Sequence, residues 1–233
     1  MKERKVAVLA GTPVDTAMGV EYIKKKNSET EGQCLLPLCD PVSADCDAQV
    51  KFQYSDEDGK RAVMDNIFDA EIADGVKDFF IYCNSLSGSF DFDTYAVMKS
   101  LDTGEDIRIY TPLQVYRSLG KEYHRIGVMA ANNLSAHAIE EAMMAANPDI
   151  YMIGTGSMVI VRAIEDGLEP AEVVEKCGLR HAVKYMEACG AEALVLGCTH
   201  FPYFRDEIAC LTDLPVIDPA DKMFDALLSA ERR

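Results

Sequence analysis

One segment of this chain reads Ala193-Leu194-Val195-Leu196-Gly197-Cys198-Thr199-His200-Phe201-Pro202. It starts with an apolar run of strand length that ends in glycine, which is typical of a buried strand in a parallel sheet. A thiol, a hydroxyl and an imidazole follow directly, at Cys198, Thr199 and His200. Parallel α/β folds bind ligands at the carboxyl ends of their strands, so a reactive side chain is well placed here. A single cysteine at a strand end is more often an inert buried residue.

A second segment repeats this arrangement earlier in the chain. The run Asp78-Phe79-Phe80-Ile81-Tyr82 predicts another buried strand, and it is followed by Cys83-Asn84-Ser85. Each of the two cysteines therefore follows a strand and has polar neighbours. This repetition predicts one site with two thiols, Cys83 and Cys198.

The remaining sequence alternates strand-like and helix-like segments, once before about residue 113 and again from Arg125. Besides 79–82 and 193–197, strands are predicted at 5–10, 34–38, 107–110, 126–130, 149–153 and 215–217. The pattern predicts an α/β protein with two pseudo-symmetric parallel-sheet domains and the active site in the cleft between them. The N-terminal domain is expected to comprise 1–113 with 218–233 and to carry Cys83. The second domain, 114–217, carries Cys198.

Helical spacing and turn residues predict the connections. Segment 40–60 is expected to be irregular or exposed, with Asp56-Glu57-Asp58 as a solvated turn, and 84–89 is expected to be a polar loop. Ser135 is the expected cap of a helix that runs to about residue 146. Gly154-Thr155-Gly156-Ser157 is interpreted as a turn between strand and helix, because it lacks the lysine and spacing of a phosphate loop. Further helices are expected at about 17–26, 61–75, 93–101, 113–119 and 170–189.

Charge and composition exclude several kinds of partner. The 233 residues include 23 basic and 39 acidic ones, which gives a net charge of −16. Nucleic acids and anionic membrane surfaces attract basic proteins, so neither is an expected partner. Salt screens surface charge beyond about 10 Å, so a pocket with local donors is still able to bind a small anionic substrate.

The eight cysteines are interpreted as reduced. The first residues lack the pattern of a signal peptide and no apolar run approaches the ~20 residues of a membrane helix, so a cytoplasmic location is expected. Disulfides are rare in that compartment. Cys34, Cys39 and Cys46 lie close together in sequence, but they lack paired spacing and a nearby histidine. A zinc site is therefore not expected, and no other metal is.

These motifs resemble those of a known family. Gly197-Cys198-Thr199-His200-Phe201-Pro202 resembles the second-cysteine motif of glutamate racemases, and Cys83-Asn84-Ser85 is similar to their first-cysteine motif. Ala10-Gly11-Thr12-Pro13-Val14-Asp15-Thr16 resembles more closely the opening of aspartate racemases. Ile126–Ala130 and the segment Ile164-Glu165-Asp166-Gly167 stand where the superfamily has similar segments. The chain is identified as a member of the aspartate/glutamate racemase superfamily.

This resemblance implies an isomerase that racemises an amino acid, aspartate or glutamate, without a cofactor or a metal. Its expected catalytic residues are Cys83 and Cys198, which exchange the α-proton from opposite faces, and His200, which assists Cys198. A helix N-terminus beside a sulfur is expected to favour its thiolate. The expected partner is a small acidic substrate, and a homodimer is compatible with the sequence. The expected substrate-binding residues are Gly11, Thr12, Asn84, Ser85, Asn132 and Thr199.

The chain departs from the glutamate racemase pattern at three places. Ala10-Gly11 stand where that family has an Asp-Ser pair, and Asp15 is the nearest carboxylate. The Pro-Tyr-Gly motif is absent between Pro37 and Lys60, and Ala131-Asn132-Asn133 replace the expected threonines.

These departures leave other functions open. One alternative is a related reaction, hydantoin racemisation or maleate cis–trans isomerisation. Another is a small-molecule binding protein on the same fold that has lost turnover. A thiol redox protein ranks last, because neither Cys83 nor Cys198 belongs to a CxxC motif.

Overall fold

The structure is a computed structural model that describes residues 3–30 and 34–230. The chain divides into two compact units, Met1–Pro112 with Met223–Arg233 and Leu113–Lys222, which we call unit 1 and unit 2. Each unit contains a four-stranded sheet in which every pairing is parallel. The predicted α/β class with two parallel sheets is confirmed.

Unit 1 is built on the sheet order β2-β1-β3-β4. Its strands are β1 (Arg4–Ala10), β2 (Leu35–Pro41), β3 (Asp78–Ile81) and β4 (Arg108–Tyr110). Its helices are α1 (Pro13–Glu29), α2 (Cys46–Gln53), α3 (Glu57–Ala73), α4 (Asn84–Ser89) and α5 (Phe92–Thr103).

The inner strands β1 and β3 are covered on both faces, as the continuous apolar runs predict. On one face, Phe68 of α3 stacks on Phe79 with ring centroids 4.0 Å apart. On the other face, Tyr22 of α1 packs against Phe80 at 6.3 Å. The end of β3, where Cys83 follows, is therefore held by aromatic packing on both sides.

Unit 2 is built on the sheet order β6-β5-β7-β8. Its strands are β5 (Arg125–Ala130), β6 (Tyr151–Gly156), β7 (Ala193–Gly197) and β8 (Val216–Ile217). Its helices begin with α6 (Pro112–Glu122), whose first residue belongs to unit 1, and continue with α7 (Asn133–Ala146), α8 (Met158–Glu165), α9 (Pro170–Lys176), α10 (Leu179–Ala188) and α11 (Arg205–Ala209).

The strand β7 is fully buried and runs into a turn that aromatic residues hold in place. A single 3₁₀ turn, Phe201–Phe204, follows Cys198 and His200. Phe201 and Phe204 are both fully buried, with ring centroids 5.1 Å apart. This packing fixes the backbone immediately after the second thiol.

The last helix returns the chain to unit 1. This helix, α12 (Pro219–Ser229), starts in unit 2 and ends in unit 1. Its Phe224 meets Tyr22 edge-on at 6.3 Å, and Arg4 Nη1 of β1 donates to Leu227 O at 3.0 Å.

Segment 40–60 contradicts the expectation of irregular structure. It contains α2, which Asp45 caps by accepting from the backbone N–H of Ala48 at 2.8 Å. Asp56 caps α3 in the same way through Gly59 N, so the acidic run begins a helix and is not a turn. Segment 84–89 is the short helix α4 and not a loop. These helices are rich in polar residues, and an apolar periodicity alone does not reveal them.

Unit 2 also differs from the sequence prediction in three places. The cap of α7 is Asn132, which accepts from Ser135 N at 2.8 Å, and Ser135 is not the cap. Residues 154–156 belong to β6 rather than to a turn. The helix expected at 170–189 is broken at Gly178, whose φ of 71° is a left-handed conformation that favours glycine.

Residues 3–30 and 34–230 contain neither a membrane-spanning helix nor a cluster of metal ligands. No helix in those ranges is long and apolar enough to cross a membrane. No group of three or more His, Cys, Asp or Glu side chains there is arranged to hold a metal ion. The side chain of Cys46, one of the three clustered cysteines, lies outside the described part of the structure.

Candidate active site

Cys83 lies at the carboxyl end of β3, as predicted. The pairing of β3 with β1 continues to Tyr82, whose N–H donates to Leu9 O at 2.7 Å. Cys83 is the first residue beyond this pairing and precedes α4, where its carbonyl accepts from Ser87 N at 3.1 Å. The thiol is a free, buried group with 5% exposure.

Several hydrogen-bond donors surround the sulfur of Cys83. Ser85 Oγ lies 3.4 Å from Cys83 Sγ, and Nε2 of Gln49 lies 3.8 Å from it. The backbone N–H groups of Leu86 and Gly11 also donate to the sulfur. Donors of this kind favour a thiolate.

Burial and a nearby carboxylate oppose these donors and prevail. Burial, followed by the negative charge of Asp15, raises the pKa of the Cys83 thiol above its ordinary value. The hydrogen bonds from Ser85, Leu86 and Gly11 only reduce this increase. The free protein therefore holds Cys83 as a neutral thiol at pH 7, and the expectation that a helix N-terminus favours its thiolate is not met.

The predicted substrate-binding residues of unit 1 are not all close to the sulfur of Cys83. Gly11 and Ser85 lie next to Cys83 or its donors, and Asn84 is a buried residue at the start of α4. Thr12 caps α1, where its Oγ1 accepts from Asp15 N at 3.3 Å. The Thr12 hydroxyl oxygen therefore has a structural role.

Cys198 lies at the carboxyl end of β7 and adjoins an imidazole. Its Sγ is 3.8 Å from Nδ1 of His200, and both side chains are buried. On the other side of the ring, Nε2 of His200 lies 3.5 Å from Oε1 of Glu165, the last residue of α8. The His200 side chain does not cap the turn that follows it. Thiol, imidazole and carboxylate thus form a chain of polar contacts.

Two further buried groups lie near Cys198. Tyr116 of α6 is fully buried, and its pKa is raised well above the ordinary value by burial and then by the charges of Asp218 and Cys198. Asp218 follows β8 at the same edge of the sheet and accepts from Ala220 N at 2.9 Å. Tyr116 is therefore a neutral hydroxyl group close to the thiol.

The other predicted residues of unit 2 lie at the same sheet edge. Asn132 follows β5, which pairs with β7, and its Oδ1 is engaged in capping α7. A side chain at Gly156 would approach the Asn132 backbone to 2.4 Å, so β6 also packs closely against this turn. Thr199 is partly exposed between Cys198 and His200.

Sequence reasoning missed five residues that the structure places at or near the two thiols. They are Gln49, Gln53, Tyr116, Glu165 and Asp218. Glu165 was noted only as part of a family-like segment, and the others carried no motif. Each reaches its site through packing between elements that are distant in sequence.

Comparisons with known proteins identify similar sequences and similar folds. The sequence model of the family described as Asp/Glu/Hydantoin racemase matches residues 112–227. A glutamate racemase from Acidothermus cellulolyticus is 24% identical over 161 residues, which are 67% of this chain and 58% of that protein. The chain thus spans less than two thirds of the length of the curated relatives it matches.

Solved structures share the fold over nearly the whole chain. Glutamate racemase from Francisella tularensis, in complex with D-glutamate, has a TM-score of 0.67 at 21% identity, with 98% of this chain and 82% of that chain covered. Aspartate racemase from Picrophilus torridus has a TM-score of 0.63 at 16% identity, with 97% and 94% covered. From its matching family model, its sequence relatives and its fold, the chain belongs to the aspartate/glutamate racemase superfamily.

Proposed function

We propose that this protein is a cofactor-independent amino-acid racemase that acts on glutamate or aspartate, with Cys83 and Cys198 as its two proton carriers. The observation that carries the proposal is the matched position of the thiols. In each unit an inner strand, β3 or β7, leads to a buried cysteine that forms no disulfide and is surrounded by polar groups. The glutamate racemase relative supports the reaction and the substrate class.

The first step is removal of the α-proton by a thiolate. The Cα–H bond breaks, an S–H bond forms, and the electron pair stays on the substrate as a carbanion conjugated with its carboxylate. With Cys83 held as a neutral thiol, the reactive form of the free enzyme carries its negative charge on Cys198. His200, which adjoins Cys198 Sγ, stabilises this thiolate through a ring N–H, and Glu165 orients the ring.

The second step is delivery of a proton to the opposite face of the carbanion. The S–H bond of Cys83 breaks, a new Cα–H bond forms, and Cys83 becomes the thiolate. Its donors, the N–H groups of Gly11 and Leu86 and the Ser85 hydroxyl, stabilise that charge. The two thiols have then exchanged protonation states, and the opposite enantiomer is the substrate for the return reaction.

Polar groups at the two sheet edges are suited to the carboxylates of the substrate. Asn84, Ser85 and Thr199 adjoin the thiols in sequence and supply N–H or O–H donors, and the Asn132 side chain supplies an NH₂ group. A reducing cytoplasmic location suits an enzyme that depends on two reduced thiols.

A second candidate substrate class is a hydantoin, a ring with both N–H and C=O groups. The side chains that approach Cys83 and Ser85 from α2 are the carboxamides of Gln49 and Gln53, and they carry no charge. Carboxamides both donate and accept, so they pair with such a ring as well as with a carboxylate.

Proton NMR in D₂O tests the proposal directly. The purified chain is incubated separately with L- and D-glutamate, L- and D-aspartate, and both enantiomers of a 5-substituted hydantoin. We expect the α-proton signal of one amino-acid pair to disappear while the opposite enantiomer accumulates, as measured by chiral chromatography. If only the hydantoin exchanges its C–H proton with deuterium, the substrate is a hydantoin and not an amino acid. Absence of exchange with all six would refute the proposed activity.

A further inference from the structure

The helix α2 brings two carboxamides to the Cys83 site. Gln49 and Gln53 are one helical turn apart and lie on the same side of α2. Between them in sequence, Phe52 is buried in the core of unit 1 and anchors the helix. Nε2 of Gln53 donates to Ser85 Oγ at 3.1 Å, and Nε2 of Gln49 lies 3.4 Å from the same oxygen. The two carboxamides differ in their contact with the sulfur. Among the described contacts, Gln49 Nε2 lies within hydrogen-bonding range of Cys83 Sγ, at 3.8 Å, and Gln53 does not.

The Gln49 carboxamide occupies space that exists because residue 11 has no side chain. A Cβ built on Gly11 would lie 2.0 Å from Nε2, 2.2 Å from Cδ and 2.7 Å from Oε1 of Gln49. These distances are far inside van der Waals contact, so any other residue at position 11 would displace the amide. Gly11 and Gln49 therefore fit each other across the turn that follows β1.

The charge around the sulfur gives the carboxamide a function. Asp15 of α1 is the charged group that acts on Cys83, and its negative charge disfavours the thiolate. The donors on the sulfur come from the turn after β1 (Gly11 N) and from α4 (Leu86 N and Ser85 Oγ). The Gln49 amide adds a donor to the sulfur from a third element, α2, and this donor does not titrate.

We propose that Gln49 is a positioning residue for Cys83, whose carboxamide, seated over Gly11, holds the sulfur in place and donates an N–H to its thiolate form. The importance of this contact for turnover rests on the proposed function, in which Cys83 delivers and accepts a proton. The contact itself does not depend on it.

Titration of Cys83 in the full chain tests the proposal without any substrate. The protein is labelled with [3-¹³C]cysteine, and the Cys83 signal is assigned with Cys83→Ser. Its ¹³Cβ shift is then followed from about pH 7 to the highest pH at which the protein remains folded. In Gln49→Met, which keeps the length of the side chain and removes the donor, we expect the midpoint to rise by about 0.5 to 1 pH unit. Gln53→Met is the matched control, because Gln53 contacts Ser85 and not the sulfur, and it should shift the midpoint by less than about 0.2.

A second variant reaches the same contact without changing α2. Gly11→Ala should displace the carboxamide and raise the midpoint to a similar extent, and Gly11→Ala with Gln49→Met should add nothing further. An unchanged midpoint in Gln49→Met, or an equal rise in Gln53→Met, would overturn the proposal. Additive shifts in the double variant would show that Gly11→Ala does not act by displacing the Gln49 carboxamide. A midpoint that rises in a protein that racemises no substrate would refute the proposed activity and leave this inference standing.

Discussion

The two buried thiols have the same place in their sheets but different neighbours. Cys198 adjoins the imidazole ring of His200, whose other nitrogen contacts the carboxylate of Glu165. Cys83 adjoins a hydroxyl and a carboxamide that do not titrate, and it lies near the carboxylate of Asp15. Equivalent positions in two similar folds thus tune one chemical group in two ways. We expect the thiolate at Cys198 and the thiol at Cys83 before substrate binds.

Removal of either thiol should have the largest effect. In Cys83→Ala or Cys198→Ala, we expect racemisation to fall by at least about 10³-fold, because one face of the α-carbon loses its proton carrier. Chiral chromatography measures the rate, and circular dichroism confirms that the fold is intact. Cys210→Ala, at an exposed cysteine of unit 2, is the control and should retain full activity. Retained turnover in either active-site variant would contradict a two-thiol mechanism.

Removal of the imidazole should have the next largest effect. His200→Asn should lower kcat roughly 10²-fold, and Glu165→Gln about tenfold, since Glu165 acts only through the ring. The chain offers a matched control in His137, which lies 3.4 Å from Glu141 on the exposed face of α7. His137→Asn should leave kcat unchanged. A smaller effect at His200 than at Glu165 would contradict the proposed order of contacts.

The pH dependence of kcat/KM should depend on the negative charge of Asp15 near Cys83. Two enantiomers have equal free energies, so kcat/KM is the same in both directions and requires one thiol and one thiolate. At high pH, kcat/KM falls when the remaining thiol of the pair loses its proton. We assign this descending limb to Cys83, because its pKa is raised. In Asp15→Asn that pKa should fall, and the limb should move down by about 0.5 to 1 pH unit. A limb that stays in place would show that Asp15 does not act on the thiol that ionises last.

The smallest expected effect concerns the outer strand of unit 1. Asp40 of β2 faces Glu71 of α3, and Oδ2 and Oε2 of the pair are buried with no donor among the described residues. Burial, and then the charge of Glu71, raises the pKa of Asp40 to about 6. A raised carboxyl pKa stabilises the fold below the ordinary value near 4, and this contribution is lost as pH rises through 6.

The variant Asp40→Asn should therefore stabilise the protein at pH 8 and not at pH 4. We expect a gain of about 1 kcal/mol at pH 8 in urea unfolding, after allowance for partial solvent screening. Asp58→Asn, on the exposed first turn of α3, should give no such gain and serves as the control. An equal gain at pH 4 and at pH 8 would show that the gain does not come from the ionisation of Asp40.

The sequence predicted the parts of the fold that rest on continuous apolar runs. The strands that precede Cys83 and Cys198 were located within a residue, because buried parallel strands are apolar throughout. The helix α2 was missed, since Phe52 is the only buried apolar side chain among those described for it, and capping by Asp45 was not recognised. The break at Gly178 was missed because a left-handed residue leaves no apolar pattern.

The candidate site was predictable only where a motif carries it. Cys83, Cys198 and His200 lie in short segments after strands, so local sequence indicates them. The contact between His200 and Glu165 joins residues 35 positions apart (200 − 165), and Gln49 reaches Cys83 from 34 positions away. Such contacts depend on how helices pack on the sheet, which sequence periodicity does not specify.

The return of α12 to unit 1 has a consequence for how the chain folds during synthesis. Unit 2 is a continuous segment, and all of it has been made when the ribosome reaches Lys222. Unit 1 starts before unit 2 in the chain, yet Arg4 and Tyr22 can contact Leu227 and Phe224 only after the whole of unit 2 has been translated. The usual order, in which the N-terminal part of a protein folds first, is therefore reversed in its final step. A released chain that stops just after Lys222 would contain all of unit 2 but would lack the residues of α12 that pack on unit 1.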